Sequence, residues 1–133
     1  MSLSVYNVAF DCADPYAIAS FWSGVTGRPL AEDDHPGDPV ATILLANGVT
    51  LYFESVPEPK AVKNRVHLCL RPDPGKTRDE EVERVLGLGA TIVDDRRQLE
   101  GNGTGWVVFA DPEGNEFCLL HEGVGRSQKE PTE

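Results

Sequence analysis

Hydrophobic and polar positions along the stretch from Trp106 to His121 predict a β-hairpin. Two apolar runs, rich in β-branched and aromatic residues, flank the segment Asp111-Pro112-Glu113-Gly114-Asn115. Proline presets φ and glycine supplies a positive φ, so this segment is typical of a tight turn. The stretch from Val40 to Glu54 repeats the pattern around Asn47-Gly48, a dipeptide typical of hairpin turns. The two halves of the chain therefore look like copies of one design.

The first hairpin follows a strand and an amphipathic helix. Apolar and polar residues alternate from Leu3 to Asp11, which predicts a half-buried strand. Asp14-Pro15 supplies an N-cap and a proline at the first helical position, and apolar residues then recur at helical spacing until Gly27. A further short strand is expected from Leu30 to Asp33.

The second half repeats this order of elements. A strand is expected from Arg65 to Arg71, and Thr77-Arg-Asp-Glu80 is a capping box that opens a helix ending at Gly89. Ala90 to Asp94 is the next predicted strand. A glycine-rich loop from Arg96 to Gly105 then leads into the closing hairpin.

These elements predict an α+β fold built from two β-α-β-β-β modules. Module 1 covers about residues 3–56, a proline-containing linker covers residues 57–64, and module 2 covers about residues 65–122. Residues 124–133 form a polar tail. Neither module buries a helix-covered sheet well alone, so we expect the two to pair and to form a curved mixed sheet around a cavity.

Composition narrows the classes of function. The formal net charge of -10 at pH 7 disfavours nucleic acids and anionic membrane surfaces as partners, because both require positive charge on the protein. No apolar run approaches the roughly 18 to 20 residues that span a bilayer, and the N-terminus lacks the pattern of a signal peptide. The three cysteines form no Cys-x-x-Cys pair, which suits reduced thiols. A cytoplasmic protein with a small-molecule partner fits these features.

Polar side chains converge on one predicted face of each sheet. If the helices cover the apolar faces, residues of the opposite parity line the cavity. On the first, fourth, fifth and last strands, this parity selects Asn7, Ala9, Asp11, Thr50, Tyr52, Glu54, Arg65, His67, Cys69, Glu116, Cys118 and Leu120. A sheet with one solvated face alternates in the same way without binding anything. The mixture of Tyr, Cys, Arg and His in adjacent rungs favours a binding face.

His67 is the first candidate for chemistry on this face. An imidazole exchanges a proton near neutral pH, so His67 is a candidate general base or metal ligand, with a satisfied structural histidine as the alternative. Arg65 is a candidate clamp for a substrate carboxylate or phosphate. Its alternative role is an ion pair with Asp11 or Glu54.

Two further side chains are candidates for the cavity wall. Cys118 is a candidate soft ligand or nucleophile, but packing is the favoured role because no cationic partner is evident. Trp106 is interpreted first as a core or wall aromatic.

Several motifs resemble the vicinal oxygen chelate superfamily, which includes glyoxalase I, extradiol dioxygenases, and bleomycin and fosfomycin resistance proteins. The resemblance rests on the paired modules, the start from Asp11 to Trp22, the Leu86-Gly-Leu-Gly-Ala90-Thr stretch, and Asp111-Pro-Glu-Gly-Asn115-Glu-Phe-Cys118. It runs from about Val5 to about Glu122 and is nearest to the bacterial glyoxalase-like subgroup. Residues 1–123 are therefore interpreted as a glyoxalase-like domain.

The resemblance also bears on metal binding. In metal-dependent members, one His, Gln or Glu near the start of each module and one Glu in each closing strand hold a divalent ion. The corresponding positions here are Asn7, Tyr52, Arg65 and Cys118. Hard divalent ions prefer carboxylates and imidazoles, and an arginine cannot ligate. No metal or other cofactor is therefore predicted. If a divalent metal does bind, the expected ligands are His67, Glu54 and Asp11.

Four hypotheses of function follow, and they leave open whether the protein is an enzyme. The leading hypothesis is a metal-independent protein that binds a small anionic or polyoxygenated organic molecule, with His67 and Tyr52 exchanging protons. Its ligand-binding residues are Asn7, Asp11, Glu54, Arg65, Trp106 and Cys118. The alternatives are a metal-dependent lyase or dioxygenase with a non-standard ligand set, a drug-sequestering protein similar to the bleomycin-resistance branch, and a fold without a ligand. A homodimer is expected, since related chains often pair modules across a two-fold axis.

Overall fold

The computed structural model describes residues 2–97 and 104–125 of the chain. These residues divide into two units between Val62 and Lys63, each with one helix and one mixed sheet. The predicted α+β class with two related modules is confirmed. The cavity between the modules stays a prediction. Parts of two predicted segments, the glycine-rich loop and the polar tail, lie outside the described residues.

The first unit contains three strands and one helix. In chain order they are β1 (Asn7–Cys12), α1 (Pro15–Thr26), β2 (Val40–Leu44) and β3 (Thr50–Ser55). The sheet order is β1-β3-β2, with β1 parallel and β2 antiparallel to β3. The predicted strand from Leu30 to Asp33 is reduced to a single bridge between Leu30 and Ile43.

The ends of α1 lie where the sequence predicts them. The Asp14 side chain accepts a hydrogen bond from the backbone N–H of Ala17 at 3.2 Å, and Gly27 ends the helix with a φ of 72°. The buried residues of α1 include Ile18, Phe21, Trp22 and Val25, which share one helical face. Helix α1 packs against β2 and β3. The opposite face of this sheet is therefore the one that the helix does not cover.

The turn between β2 and β3 confirms the prediction at Asn47-Gly48. The N–H of Gly48 donates to the carbonyl of Leu45 at 3.0 Å, and Gly48 has a φ of 91°. The Asn47 side chain accepts a hydrogen bond from Val49 N–H at 3.0 Å. Only the glycine takes the left-handed conformation here, so the turn uses Asn47 for its side-chain acceptor rather than for a positive φ.

The second unit contains four strands and one helix. In chain order they are β4 (Leu68–Leu70), α2 (Arg78–Leu88), β5 (Thr91–Asp95), β6 (Val107–Ala110) and β7 (Glu116–Leu119). The sheet order is β4-β7-β6-β5, with β4 parallel to β7 and the other pairs antiparallel. The capping box of α2 is present in both directions between Thr77 and Glu80, as predicted.

Asp111 organises the turn between β6 and β7. Its Oδ1 accepts hydrogen bonds from the N–H groups of Glu113 and Asn115, both at 2.9 Å, and its Oδ2 accepts one from the Asn115 side chain at 3.2 Å. Gly114 has a φ of 90°. The predicted hairpin is confirmed, and its side-chain acceptor explains why aspartate begins the turn.

Two predicted strands are shorter than the sequence indicates. β1 begins at Asn7 rather than Leu3, and the preceding residues are exposed. The strand expected from Arg65 is limited to Leu68–Leu70, and Val66 is 81% exposed. The physical reason for the second difference is a competing hydrogen bond. The Asn64 side chain accepts the N–H of Glu116 at 3.2 Å, so this first donor of β7 goes to a side chain rather than to a longer β4.

Strand β5 forms an exposed edge of the second sheet. All five of its residues are exposed, including Ile92 at 40% and Val93 at 50%. The register with β6 shifts between Ile92 and Asp94, so Val93 is the extra residue of a β-bulge.

Neither of the two described helices combines the length and the apolar character that a membrane span requires.

Candidate functional site

Six predicted polar or small positions form three rungs on the first sheet. In the parallel register of β1 and β3, the partners are Asn7 with Thr50, Ala9 with Tyr52, and Asp11 with Glu54. Residues 51 and 53 between them are buried, so these rungs lie on the face away from α1.

The exposure of these rungs differs along the strands. The carboxylates of Asp11 and Glu54 are exposed, whereas Tyr52 and Asn7 are half-buried. Tyr52 also pairs with Thr42 of β2, which places two hydroxyl groups in one rung. The face can therefore present a phenol and a hydroxyl beside two negative charges.

A compact group of soft ligands lies in the second unit. Cys69 of β4 and Cys118 of β7 are register partners, and His67 precedes Cys69 by two residues. The side-chain nitrogen and sulfur atoms of these three residues all lie within 4.8 Å of one another. His67 and Cys69 are exposed, whereas Cys118 is 5% exposed. Sequence parity placed Cys69 on this face but gave it no role. The signal was the recurrence of His67, Cys69 and Cys118 at one parity.

Burial controls the protonation of Cys118. Loss of hydration, together with the neighbouring Cys69 thiol, raises the pKa of Cys118 to about 11. The side chain is therefore a thiol at neutral pH, and the interpretation of Cys118 as an activated nucleophile finds no support in its surroundings.

Lys63 and Asn64 hold the start of β7, and the next residue, Arg65, is exposed. Lys63 Nζ lies 2.6 Å from Glu116 Oε1, and the backbone N–H of Glu116 donates to the Asn64 side chain. Arg65 itself lies in the bend before β4 rather than on a strand. Among the described residues, Arg65 makes no hydrogen bond or ion pair.

Trp106 lies on the same face of the second sheet as Cys118. Val108 is the partner of Cys118, and Trp106 precedes Val108 by two residues. The guanidinium of Arg96 lies 5.5 Å from the centre of the Trp106 ring, which is a cation–π distance. Trp106 is half-buried, so one part of the ring is available as a wall.

A second polar cluster of this unit has a structural role. Arg78 is buried and donates through Nη1 to the Gly105 carbonyl at 2.8 Å. Asp79 lies between Arg78 and Arg97, and Arg97 also pairs with Asp95 at 2.6 Å. The Arg97 guanidinium lowers the pKa of Asp95 to about 2. No periodic pattern along the chain predicts this cluster, because its members lie on a helix, a strand and a loop.

The positions that correspond to a superfamily metal site do not fit a hard divalent ion. The first unit supplies an amide at Asn7 and a phenol at Tyr52, and the second supplies an exposed guanidinium at Arg65 and a buried thiol at Cys118. Neither thiols nor guanidinium groups suit Mn²⁺ or Mg²⁺. The alternative set of His67, Glu54 and Asp11 stays a prediction.

Comparison with known proteins places the fold. The family model of the glyoxalase-like domain matches residues 7–120. The fosfomycin resistance protein FosX from Listeria monocytogenes, as a point mutant in complex with Mn(II) and 1S,2S-dihydroxypropylphosphonic acid, is 17% identical with a TM-score of 0.68, covering 95% of this chain and 94% of that one. FosX from Mesorhizobium loti is 19% identical with a TM-score of 0.68, covering 95% and 96%.

A third solved structure belongs to an oxidase. Oxidase ChaP-H2 is 16% identical with a TM-score of 0.61, covering 90% of this chain and 94% of that one. No curated protein matches the sequence significantly. At these identities the solved structures establish the shared fold, and the match to the family model covers most of the sequence. The chain therefore belongs to the glyoxalase-like domain family of the vicinal oxygen chelate superfamily.

Proposed function

We propose that this protein binds a small, anionic and polyoxygenated organic molecule, and that it does so without a hard divalent metal ion. The observation that carries the proposal is that Arg65 is exposed and unpaired among the described residues. It lies two positions from His67. A planar guanidinium of this kind suits a phosphonate or carboxylate, which it binds through two parallel hydrogen bonds.

Other side chains supply the complementary groups. In the second unit, His67 is exposed and presents polar atoms that can exchange or share protons with hydroxyl groups of the ligand. In the first unit, Tyr52 is half-buried in a rung with Thr42, and its role as a proton donor or acceptor stays a prediction. The half-buried Trp106 offers an apolar wall. Small-molecule sites commonly combine apolar walls with a few placed polar groups.

The ligand class agrees with what a structural relative binds. The Listeria FosX structure contains dihydroxypropylphosphonic acid, which is a small anion with several oxygen atoms. Because that protein shares only 17% of its residues with this chain, the ligand is a choice of probe rather than an assignment. The same structure contains Mn(II), whereas the thiol and guanidinium that the superfamily resemblance places at metal positions in this chain are unsuitable for that ion.

The proposal predicts that Arg65→Ala weakens anion binding. Calorimetric titration of chelator-treated protein with 1S,2S-dihydroxypropylphosphonic acid, and with a set of hydroxy acids and hydroxyphosphonates, measures the dissociation constants. Loss of a charge-assisted pair of hydrogen bonds predicts an affinity lower by about 10- to 100-fold.

Arg84→Ala is the matched control for this experiment. It removes the same charge from an exposed residue of α2 that pairs with Glu81, so general electrostatic attraction falls equally in both variants. Equal affinities of the two variants would contradict the role of Arg65. Failure of every anion in the set to bind would contradict the ligand class.

The drug-sequestering function is the second candidate, and one observation favours it. Asp11 and Glu54 are adjacent and exposed, so the first sheet presents two negative charges that suit a cationic ligand. A bleomycin-type drug that binds stoichiometrically, without turnover, would support this function. The homodimer and the cytoplasmic location stay predictions.

A further inference from the structure

We infer that His67, Cys69 and Cys118 form a site for a soft or borderline divalent ion of the Zn²⁺ class, with one coordination position left for solvent or an oxygen ligand. The site goes beyond the proposed function, since Arg65 can bind an anion whether or not an ion occupies it. It also differs from the expected set of His67, Glu54 and Asp11, because two thiols replace the two carboxylates.

The backbone holds the three residues in place. Cys69 and Cys118 are partners in the parallel pair of β4 and β7, and the N–H of Leu120 extends the pair by donating to the Leu70 carbonyl at 2.8 Å. His67 precedes Cys69 by two residues, so strand alternation directs both side chains to one side. Two ligands therefore come from one segment and the third from the neighbouring strand.

The distances are close to those of an occupied site. The three ligand atoms lie within 4.8 Å of one another. In a tetrahedral zinc site with Zn–S bonds of about 2.3 Å, two sulfur atoms lie about 3.8 Å apart. Side-chain rotations that move the ligand atoms by about 1 Å are sufficient to close this difference. Both His67 and Cys69 are exposed and have room for such rotations.

The donor chemistry selects the ion. Two thiolates and one imidazole suit zinc and other thiolate-preferring ions, whereas Mn²⁺ and Mg²⁺ prefer oxygen donors. Three protein ligands with one open position are typical of zinc sites that bind water or a substrate. On binding, the ion replaces the protons of the two thiols, which pass to water.

The exposure of the three ligands gives an ion access from the solvent. Cys118 lies at the buried end of the group, and His67 and Cys69 lie at its exposed end. Glu116 is on the same strand face as Cys118, but its carboxylate pairs with Lys63, so the charges of this neighbouring pair offset each other. An ion therefore has access to the group from the solvent past His67 and Cys69.

Ion binding is measured on the full chain after reduction and treatment with a chelator. Cd²⁺ is the spectroscopic probe, because a thiolate–Cd²⁺ bond gives an ultraviolet charge-transfer band that surface carboxylates do not give. We expect one Cd²⁺ per chain, displacement by a large excess of Zn²⁺, and no displacement by the same excess of Mn²⁺.

Variants at each ligand separate this site from incidental binding. Loss of an outer-shell partner of a metal ligand lowers metal affinity by up to about 100-fold. Loss of a ligand costs more, so we expect Cys69→Ser and Cys118→Ser each to lower the affinity for Cd²⁺ by more than about 100-fold. His67→Ala is expected to lower it by at least about tenfold. Cys12→Ser is the matched control, because it removes the remaining cysteine, which lies in the first unit. Since Cys69 is exposed, its replacement leaves the buried core intact, and circular dichroism without metal checks the fold of every variant.

Three results would overturn the site: a Cd²⁺ band unchanged in Cys69→Ser and Cys118→Ser, a band lost equally in Cys12→Ser, or displacement by Mn²⁺ as effective as by Zn²⁺. The outcome is independent of anion binding. Arg65→Ala retains the Cd²⁺ band if the site is correct, and Cys69→Ser retains anion binding to the chelator-treated protein if the proposed function is correct.

Discussion

Asp95 shows how one carboxylate ties a strand to its neighbours. It pairs with Arg97 at 2.6 Å, and Arg97 also contacts Asp79 at the start of α2. The guanidinium favours the ionised carboxylate, so the pKa of Asp95 falls from its ordinary 3.8 to about 2. Because this pKa is lower in the folded than in the unfolded chain, the ionised carboxylate stabilises the folded protein above about pH 4. This stabilisation is lost as the pH falls towards 2.

Asp95→Asn is therefore expected to destabilise the protein at neutral pH. Because the carboxyl is 37% exposed, solvent screening limits the loss to about 0.5 kcal/mol of the free energy of unfolding. Urea denaturation at pH 7 and at about pH 3 measures it, and the difference between the variant and the original protein should shrink at the lower pH. Glu83→Gln on α2 is the control. An equal effect of both substitutions would contradict the specific ion pair.

Single residues also show what the sequence could not provide. His67 and Cys118 were recognised as candidates, but their meeting with Cys69 depends on the register of two strands that are about fifty residues apart. Arg65 was expected on a strand and lies before it, because Asn64 takes the first hydrogen bond of β7. Side-chain competition for backbone donors has no periodic signal in a sequence.

Turns and caps were the elements that the sequence predicted best. Asp14, Gly27 and the Thr77–Glu80 box mark helix ends through local hydrogen bonds and backbone conformation, which depend on only a few neighbouring residues. Strand lengths depend on distant partners, and β1 and β4 are both shorter than their alternation indicates. The sequence therefore predicted helix ends and turns, which depend on local interactions, better than strand lengths, which depend on long-range pairing.

The β6–β7 turn depends on Asp111, which is 4% exposed and whose carboxylate accepts hydrogen bonds from the N–H groups of Glu113 and Asn115 and from the Asn115 side chain. Asp111→Ala is expected to lower the free energy of unfolding by about 2 kcal/mol, because two backbone N–H groups lose their partner. Asp111→Asn should recover part of this loss, since an amide oxygen can still accept. Thermal and urea unfolding measure both. A neutral Asp111→Ala variant would show that solvent replaces the carboxylate, contrary to the prediction.

The molecule as a whole combines two related modules with a strong negative charge. Its net charge of -10 at pH 7 was sufficient to disfavour nucleic acids and anionic membranes as partners from composition alone. The same composition cannot identify a ligand, because recognition depends on where a few side chains lie and not on their overall count. The fold therefore follows from the pattern of apolar and polar residues, whereas groups of side chains from distant segments become evident only in the structure.

The exposed edge strand β5 has a consequence for the behaviour of many copies together. Ile92 and Val93 are exposed beside a strand edge that pairs with no other strand in residues 2–97 and 104–125, and such an edge is a template for association of chains into larger particles. The bulge at Val93 and the repulsion between negatively charged copies oppose this association at neutral pH. The isoelectric point is about 4.7, so repulsion vanishes in mild acid.

Turbidity is therefore expected to rise as the pH approaches 4.7 and to fall again at lower pH. Val93→Lys should reduce the maximum more than Val62→Lys, which adds the same charge to an exposed valine outside the sheets. Equal effects of the two lysines would assign the precipitation to net charge alone. A larger effect at position 93 would show that copies of the protein associate through the exposed edge of β5.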